Sequence, residues 1–428
     1  MSGTQQTEPR HVSPPVRLWP KREPQQGIGF GLQAAIFLAG LIAVFTRLPG
    51  ALLHAQFFAE DGWVWYQQAY NLHWLRSLAI AQAGYLQTLP RLVAGVTLLV
   101  PMQCAPLIMN LAGAVIQVLP VTALLSRRCT SWGPLPVRML MAALYIAIPN
   151  APEIHIVLTN AMWHLAVLQA LIAFSVPPLS WRGRVCDILL FAIGSISGPF
   201  SILLLPLVLA YWWIRRYRWT LVVLGIMFAG VVIQVLTLLH SVRSPGAPLG
   251  VTAVRFLRIV AGNIFTNSMI GSGGAYMRIP LLLISAAGGL AVLVWAWRSA
   301  PLAFRLYIAF AIFALMASLR DPLLLGNTIP RWEVLGNVAG IRYWFLPSLM
   351  FLWSAAWCAW GGSRLSRYAG LGVLLLTSIG VVREWVYPPW PASHFKADVE
   401  RFQALKPGEH MSFSVYDPGG RTMELVKR

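Results

Sequence analysis

The sequence predicts an all-α polytopic membrane protein with about eleven transmembrane helices, a membrane-associated helix in the first outside loop and a small C-terminal α/β tail. Hydrophobic residues make up 57% of the 428 residues and charged residues only 11%, well below the roughly 25% charge of soluble domains. Apolar segments recur near the ~20 residues that cross a bilayer. Arginines cluster in the short segments between them, a pattern typical of loops that stay in the cytoplasm.

The chain has a formal net charge of +19. Most of this charge lies beside apolar segments, where it orients the spans and contacts anionic membrane lipids. We therefore expect membrane lipids as partners and no nucleic acid. The four cysteines fall in or beside apolar segments without metal-ligand spacing, and the chain carries no Walker loop, HExxH or GxSxG motif.

The N-terminal part of the chain sets the topology. Residues 1–27 are rich in Pro, Gln and charge and lack an apolar core, which predicts a disordered cytoplasmic tail. The first span is 28–46, so 47–87 lies outside. If 89–103 also crossed the membrane, the arginines after 125 would lie outside, against the positive-inside rule. We therefore expect 89–103 to dip into the outer leaflet and return, or to lie along it.

The transmembrane domain spans residues 28–384 and the periplasmic tail residues 385–428. The further predicted spans are 105–125, 135–150, 158–178, 185–197, 199–214, 219–239, 280–298, 303–319, 343–361 and 368–384. The two spans that meet at residues 197–199 are short, and one bent element is the alternative there. In the tail we expect a short helix over 397–405 and a β-hairpin that turns at 417–420. This arrangement predicts a multi-pass protein of the bacterial inner membrane, with the N-terminus cytoplasmic and the C-terminus periplasmic.

Few acidic residues fall near the predicted outer face of the spans. They are Glu60, Asp61, Glu153, Asp321 and Glu333. Carboxylates near a membrane are costly unless they are paired or used, so these are the functional candidates. Asp321 and Glu333 each have an arginine close in sequence, Arg320 and Arg331, and for both we expect a structural ion pair.

Glu60 and Asp61 are the strongest candidates. They lie in FFAEDGWVWYQQAYNLHWL, directly after the first span. Aromatic and polar residues follow on one helical face, and they are Trp63, Gln67, Tyr70 and Trp74. This face predicts a helix in the membrane interface with its rings at headgroup depth. The alternative is an ordinary helix start, at which an acid satisfies the helix dipole.

The outside loop 240–280 carries arginines and no acid. Its arginines are Arg243, Arg255, Arg258 and Arg278. Positive charge outside runs against the topology bias and predicts an anionic partner, either a lipid headgroup or the phosphate of another ligand. Arg342 and Tyr343, at the outer start of a later span, are a second candidate for phosphate binding or interfacial anchoring. The Gly271-Ser-Gly-Gly274 segment is too short for a nucleotide loop, and we interpret it as a source of flexibility.

A further outer loop is bracketed by Glu153 on one side and by Asn160 and His164 on the other. Asn160 and His164 lie one helical turn apart and are candidates for binding the hydroxyl groups of a ligand, with Trp163 as a stacking platform. The alternative is a set of hydrogen bonds that ties helix ends together.

An acidic motif in the first outside loop, followed by interfacial helices and many spans, resembles the GT-C class of integral-membrane glycosyltransferases. The resemblance is architectural over most of the chain, with AEDG at 59–62 as the local motif. The segments AGYLQTLPRL, LTNAMWHLA, SGPFSILLLP and GIRYWFLP look like those of bacterial membrane proteins of this general type.

The resemblance implies an inverting enzyme that takes a sugar from a polyprenyl phosphate and passes it to a periplasmic glycan or lipid acceptor. It implies that Asp61 is the general base and that Glu60 orients it or, alternatively, helps to hold a divalent cation; we expect no other cofactor. The rival hypothesis is a non-enzymatic transporter or flippase that grips a lipid-linked phosphate or glycan with the same arginines. A third is an envelope scaffold, in which neither set of residues matters.

Overall fold

The computed structural model of the chain describes residues 28–241, 246–323, 328–337, 340–417 and 419–428. The predicted N-terminal tail and Arg243 lie outside the described residues. The first helices are α1 (Phe30–Arg47), α2 (Gly50–Leu53), α3 (Gln67–Leu72), α4 (Trp74–Ser77), α5 (Thr88–Thr97), α6 (Ala105–Leu125), α7 (Leu135–Ala147), α8 (Ala161–Ala173) and α9 (Trp181–Ser195). They are followed by α10 (Phe200–Arg215), α11 (Arg218–His240), α12 (Ala253–Leu257), α13 (Asn267–Ile270), α14 (Ile279–Ser299), α15 (Leu302–Arg320), α16 (Arg331–Asn337), α17 (Phe345–Gly361), α18 (Arg364–Arg383) and α19 (Phe395–Gln403).

Each segment that the sequence predicts as a span overlaps one helix of 13 to 23 residues. These helices are α1, α6 to α11, α14, α15, α17 and α18. Within the described ranges, 6 helices are long and apolar enough to cross a membrane, namely α1, α6 with its preceding turn, α11, α14, α15 and α18. Three shorter helices, α7, α8 and α10, are also apolar. The apolar helices indicate a membrane-embedded, helical protein.

The segment predicted to dip into the membrane folds as a short helix, α5, of 10 residues. At 1.5 Å per residue its length is about 15 Å, half of what the ~30 Å hydrocarbon core requires. A turn and a 3₁₀ segment at Met102–Cys104 then lead into α6. The chain therefore has one helix of spanning length between residues 88 and 125, as the charge pattern predicted.

The predicted break after α9 separates two helices. Backbone groups freed at 196–198 are bonded to the first residue of α5 and to the residues just before it. Thr88 donates its backbone N–H to the Ile196 carbonyl at 3.2 Å, and Gly198 donates to the Leu86 carbonyl at 3.0 Å. The Gln234 side chain bonds both backbone groups of Leu86. Because its free groups have partners, the chain can stop and restart a helix here.

The loops between the helices form two groups, and the loops of one group contact other loops of the same group. In one, Arg128 binds Asp187, and Trp219 donates to the same carboxylate. In the other, Phe58 pairs with Tyr416, and further hydrogen bonds join the loops that follow α7, α13 and α18. The second group, referred to below as the outer end, contains the loops that the sequence predicts on the outside.

The tail forms the predicted hairpin. Strands β1 (His410–Ser414) and β2 (Thr422–Val426) are antiparallel, with Phe413 opposite Met423. Side chains alternate between faces, and Phe413, Met423 and Leu425 are fully buried. They pack with the apolar face of α19 and with Phe57, Val64 and Trp65 of the first outer loop in one hydrophobic core. The tail and the first outer loop are therefore stabilised by burial of the same apolar surface.

Arg47, the last residue of α1, is 1% exposed and joins three parts of the outer end. Its guanidinium donates to the carbonyls of Ile146, Ile148 and Trp385 and to the Tyr387 hydroxyl. A buried guanidinium is tolerated when its N–H groups are bonded in this way. It fixes the start of the tail against the ends of α1 and α7.

Candidate functional site

The Glu60–Asp61 motif lies where the first outer loop meets the tail. Ala59 donates its backbone N–H to the Tyr416 carbonyl at 2.8 Å, and Tyr416 donates to the Phe57 carbonyl at 3.1 Å. Ala59 has a φ of 42°, in the left-handed region that costs a residue with a Cβ of order 1 kcal/mol. The pairing with Tyr416 holds this turn, which directs the two following acids.

Residues Asp61–Tyr66 form a π-helix, a geometry that occurs frequently at functional sites. Gly62 packs so tightly that an added Cβ would lie 2.7 Å from a Val415 methyl and 2.9 Å from the Phe57 Cβ. The glycine of the AEDG motif is therefore needed for contact with the tail. Trp65 donates its indole N–H to the Thr159 hydroxyl at 3.3 Å, which ties this helix to the loop before α8.

Asp61 is fully buried, and neither carboxylate oxygen has a hydrogen-bond partner among the described residues. Burial raises the pKa of Asp61 well above its ordinary value, and the negative charge of Glu60 raises it further. The backbone amides of Leu158 and Thr159 are close enough to favour the carboxylate, but neither makes a hydrogen bond of ordinary geometry. Buried polar groups are nearly always bonded, so a buried carboxyl without a bonded partner is a candidate for a functional group.

Glu60, beside it, is only partly buried, with 29% of its side chain exposed. The Thr159 hydroxyl lies 3.4 Å from one carboxylate oxygen, and the Arg421 guanidinium lies 4.0 Å from the other. Arg421 also covers the Trp63 ring at 3.9 Å. The two adjacent acids thus differ, since Glu60 meets solvent and a cation while Asp61 meets neither.

The turn of the tail hairpin positions Arg421. The Asp417 carboxylate accepts bonds from the Arg421 guanidinium at 2.7 and 2.9 Å and from its backbone N–H at 3.0 Å. Burial acts to raise the pKa of Asp417, but these bonds outweigh it and the pKa is lowered. A bidentate pair of this kind fixes a guanidinium in direction as well as in place.

Glu153 and Arg342, which the sequence proposed separately, form an ion pair. Arg342 also donates its backbone N–H to the same carboxylate at 3.0 Å and its guanidinium to the Leu323 carbonyl at 3.1 Å. Burial acts to lower the pKa of Arg342, but the charge of Glu153 outweighs it and, with smaller help from Glu60, raises it. Arg342 is therefore a permanent cation whose field reaches the acid motif.

The neighbouring candidate residues Tyr343, Asn160 and His164 form hydrogen bonds with other groups of the protein. The Tyr343 hydroxyl donates to the Leu323 carbonyl and accepts from the Leu323 N–H. Asn160 donates its side-chain amide to the Glu153 carbonyl at 2.8 Å. His164 is 1% exposed, and its ring nitrogens lie 2.7 Å from the Tyr145 hydroxyl and 3.0 Å from the Ile154 carbonyl. Both His164 nitrogens are engaged in this conformation, which leaves neither for a sugar hydroxyl.

Two arginines of the loop 240–280 are less available for an anionic ligand than the sequence indicated, because they bind other groups of the protein. Arg255 pairs with Glu333 at 2.5 Å, across 78 positions of sequence. Arg258 donates to the Ala275 carbonyl at 2.6 Å, and Arg278 is exposed at the start of α14.

The expected local ion pairs take different partners. Glu333 binds Arg255 rather than Arg331, and Asp321 binds Arg331 at 2.6 Å. The expectation of pairing was right for both acids, but the choice of the nearest arginine in sequence was wrong. Neighbours in sequence point in different directions where the chain turns, so the tertiary fold selects the partner.

The predicted interfacial face of the first outer loop is covered by the tail instead of lying open to headgroups. Gln67 accepts from the Glu424 backbone N–H. Asn71 donates its side-chain amide to the Glu424 carbonyl at 2.8 Å and accepts from the Val426 backbone N–H at 3.2 Å. The Tyr70 ring packs against Phe402. Trp74 is 36% exposed. Gln67 and Tyr70 therefore meet protein, whereas Trp74 follows a break in the helix at His73, where φ is 77°, and begins the separate helix α4. The prediction of one continuous helical face from Trp63 to Trp74 was wrong.

Sequence reasoning missed Arg421, Thr159 and Arg91. Arg91 is fully buried in α5 and lies over the Trp65 ring at 4.7 Å. Its guanidinium donates to Gln68 at 2.7 Å, and two of its nitrogens have no partner within the described ranges. The signal in the sequence was an arginine near the start of the segment 89–103, which was predicted to enter or lie along the membrane, where a charge is a functional candidate.

The outer end thus collects two acids, one buried and unbonded and one facing a cation, beside two fixed guanidinium groups. A carboxyl with a raised pKa is suited to exchange a proton near neutral pH. Among the described residues, no three His, Cys, Asp or Glu side chains are grouped closely enough to hold a metal ion. Comparison with protein-family models, with curated proteins and with solved structures gave no match.

Proposed function

We propose that this protein is a membrane-embedded glycosyltransferase that moves a sugar from a polyprenyl-phosphate donor to a periplasmic glycan or lipid acceptor. The observation that carries the proposal is Asp61, a fully buried carboxyl with no hydrogen-bond partner among the described residues. Structural acids of this chain, such as Asp187 and Asp417, are bonded to arginine. A buried acid without such a partner is a candidate for a group that accepts and releases a proton.

In the proposed reaction an acceptor hydroxyl oxygen attacks the anomeric carbon of the donor sugar. Its proton passes to the Asp61 carboxylate, while the bond from the anomeric carbon to the phosphate oxygen breaks and polyprenyl phosphate leaves with the electron pair. The configuration at the anomeric carbon inverts. Asp61 must be ionised to accept this proton. A carboxylate whose conjugate acid has a raised pKa is a stronger base, so the raised pKa of Asp61 favours the proton transfer once the group is ionised.

The other charged groups of the outer end have supporting roles in this proposal. Glu60 orients the acceptor through its exposed oxygens and sets the electrostatics of Asp61. Arg342 and Arg421, which both interact with Glu60, supply the positive charge that a leaving phosphate requires. A bound divalent cation remains compatible with Glu60 and is testable by chelation.

The proposed topology has eleven crossings, an N-terminus in the cytoplasm and a C-terminus in the periplasm of a bacterial inner membrane. The division of the loops into two contacting groups supports it, because each group matches one predicted side. Cysteine labelling of intact cells should reach position 410 and not position 130. Labelling at 130 from outside would contradict the eleven-span topology.

The experiment that tests the function is the sugar composition of envelope glycans in a deletion strain. The strain is complemented with wild type, with Asp61→Asn or with Asp398→Asn, at matched membrane levels. Asp398 is a buried acid of the same outer end that is paired with Arg401, so its variant is the matched control. We expect wild type and Asp398→Asn to restore a missing sugar and Asp61→Asn not to restore it.

The transporter alternative depends on the arginines and not on Asp61. Two of its candidate arginines, Arg255 and Arg258, are already bound within the protein, to Glu333 and to the Ala275 carbonyl, which favours the enzymatic proposal. If Asp61→Asn restores the sugar while Arg258→Gln or Arg278→Gln does not, the transporter replaces the glycosyltransferase as the working hypothesis.

A further inference from the structure

A cavity of about 300 Å³ opens at the outer end, between the end of α7, the segment 263–276 and the turn at Ile341–Trp344. Its volume is at the lower limit of small-molecule sites. The described residues that line it include asparagines, a serine and two aromatic rings, and none of them is Asp, Glu, Lys, Arg or His. This uncharged lining distinguishes it from the acid motif and its arginines.

The two loops at the rim are held by one carboxylate. Glu384, just after α18, accepts backbone N–H bonds from Asn150 at 2.6 Å and from Ser272 at 2.5 Å. Gly271 has a φ of 84° and packs so closely that a Cβ there would lie 2.7 Å from the Glu384 carboxyl carbon. The Gly-Ser-Gly-Gly segment is therefore a fitted wall of the cavity, whereas its composition had been interpreted as flexibility.

A chain of amide bonds fixes the opposite wall. Asn263 donates to the Leu335 carbonyl at 2.9 Å, Asn267 donates to the Asn263 side-chain oxygen at 3.1 Å, and Gly274 donates to the Asn267 side-chain oxygen at 2.7 Å. Both asparagines are buried. Because these amides bond to each other, the wall is rigid and polar before any ligand arrives.

Other polar groups of the lining remain available. The Asn150 side-chain amide, the Ser272 hydroxyl and the Trp344 indole N–H have no hydrogen-bond partner within the described residues. Together they offer donors and acceptors around an aromatic ring. Such a combination matches a ligand with several hydroxyl groups and an apolar ring face. It does not match a phosphate, which is best held by cations, or an acyl chain.

We propose that this cavity binds one uncharged sugar residue, and that the sugar belongs to the acceptor glycan. The role as an acceptor site rests on the proposed glycosyltransferase function, but sugar binding itself does not. The cavity is coupled to the acid motif through one turn. Ile341 and Trp344 line the cavity, while Arg342 between them pairs with Glu153 and has an electrostatic interaction with Glu60. The turn Ile341–Trp344 therefore links the cavity wall to the charged groups of the acid motif.

The test is direct binding to the purified full-length protein in a detergent without a sugar headgroup, such as an alkyl amine oxide. The probes are the methyl glycosides of glucose, galactose, mannose and N-acetylglucosamine, followed by saturation-transfer NMR and calorimetry. We expect at least one glycoside to bind saturably at millimolar concentration, without competition from inorganic phosphate. Ser272→Ala combined with Asn150→Gly should weaken binding about tenfold, as expected for the loss of two neutral hydrogen bonds.

Glycine at 150 tolerates the φ of 53° found there, and Ser272→Ala alone, at an exposed position, serves if the double variant does not fold. Asp398→Asn, a tail acid that is paired with Arg401 and lines neither the cavity nor the acid motif, is the control and should bind the glycoside like wild type. Absence of binding by every glycoside, or equal binding by wild type and the cavity variants, would overturn the proposal. Saturable binding that the cavity variants weaken, in a protein whose Asp61→Asn variant still restores the envelope sugar, would keep the cavity as a sugar site and refute the proposed catalytic function.

Discussion

Asp61 and Asp187 are both buried aspartates in a membrane-embedded chain, and they differ in what surrounds them. Asp187, at the end opposite to the acid motif, is 2% exposed. It accepts two bonds from Arg128, at 2.7 and 2.8 Å, and one from the Trp219 indole at 2.9 Å. Asp61 is equally buried and accepts no hydrogen bond from the described residues.

Asp187 therefore contributes bonds that stabilise the fold, whereas Asp61 contributes no such bond among the described residues. A buried carboxylate with a bidentate arginine has its charge compensated, and loss of either partner leaves the other uncompensated. A buried carboxyl without a partner gives up stability in its ionised form. Natural chains keep such groups mainly at functional sites, so Asp61 is expected to matter for activity and Asp187 for stability.

The largest expected effect is on activity. Asp61→Asn should reduce sugar transfer by roughly 10²- to 10⁴-fold, the usual contribution of a general base. Transfer is measured as restoration of the envelope sugar or, once the donor is known, as turnover in purified membranes. The variant should reach wild-type levels in the membrane, because no hydrogen bond of Asp61 to a described residue is lost. Wild-type turnover by this variant would remove Asp61 from the mechanism.

The corresponding change at the other aspartate should act on stability. Asp187→Ala leaves Arg128 without its carboxylate and should lower the free energy of unfolding by about 3 kcal/mol. The lower end of the usual range applies because 22% of the Arg128 side chain is exposed. Thermal unfolding in detergent measures the change, and the protein that remains folded should keep its specific activity. A loss of specific activity with unchanged stability would reverse the roles assigned to the two acids.

Changing Glu60 should move the pH dependence of activity. Burial and then the Glu60 charge raise the pKa of Asp61, so Glu60→Gln removes the second cause and lowers that pKa. The acid limb of the rate profile, on which Asp61 becomes ionised, should therefore shift to lower pH. An unshifted limb would show that the titrating group is not Asp61. Glu409→Gln, in the exposed turn before β1, is a control that should leave the profile unchanged.

The same raised pKa predicts how stability depends on pH. A carboxyl whose pKa is higher in the folded state contributes stability below its unfolded pKa of about 4, and this contribution is lost as pH rises through the folded pKa. Wild type should therefore lose stability relative to Asp61→Asn as the pH increases. Melting curves of the two proteins from acid to mildly basic pH provide the measurement. Parallel curves across that range would contradict the burial of an ionisable Asp61.

The smallest expected effect concerns the turn of the tail. Arg421→Gln removes the guanidinium that lies 4.0 Å from Glu60 and binds Asp417. Since Arg421 is about one-third exposed, the stability change should stay below about 1 kcal/mol, whereas turnover should fall several-fold through loss of positive charge near the leaving phosphate. Arg401→Gln, also in the tail and paired with Asp398, should leave turnover unchanged. Equal turnover of the two variants would show that Arg421 does not contribute to the reaction.

Much of the fold followed from local patterns. Apolar length located α1, α6 and the other long helices to within a few residues, and alternation located the hairpin. These features depend on residues near each other in the chain, so a linear reading can find them. The charge pattern also predicted that α5 is not a span, and its 10 residues agree with that.

The candidate site was only partly accessible in the same way. The sequence alone singled out Glu60 and Asp61, because acids are rare in this chain and these two follow the first span. It could not give Arg421, which is brought beside Glu60 by a tail more than 350 positions away. It also placed the side chains of Trp63, Gln67, Tyr70 and Trp74 on one face in the membrane interface, because helical spacing identifies a face but not what covers it.

The sequence by itself thus determined the membrane class, the order of the helices, the hairpin and the two acids of the motif, since composition and periodicity are local properties. Only the tertiary structure decided which charges are paired. Arg255 found Glu333, Arg342 found Glu153 and Asp187 found Arg128, while Asp61 was left without a partner among the described residues. Pairing depends on distances between segments that only packing brings together, and through burial that packing raises the pKa of one aspartate.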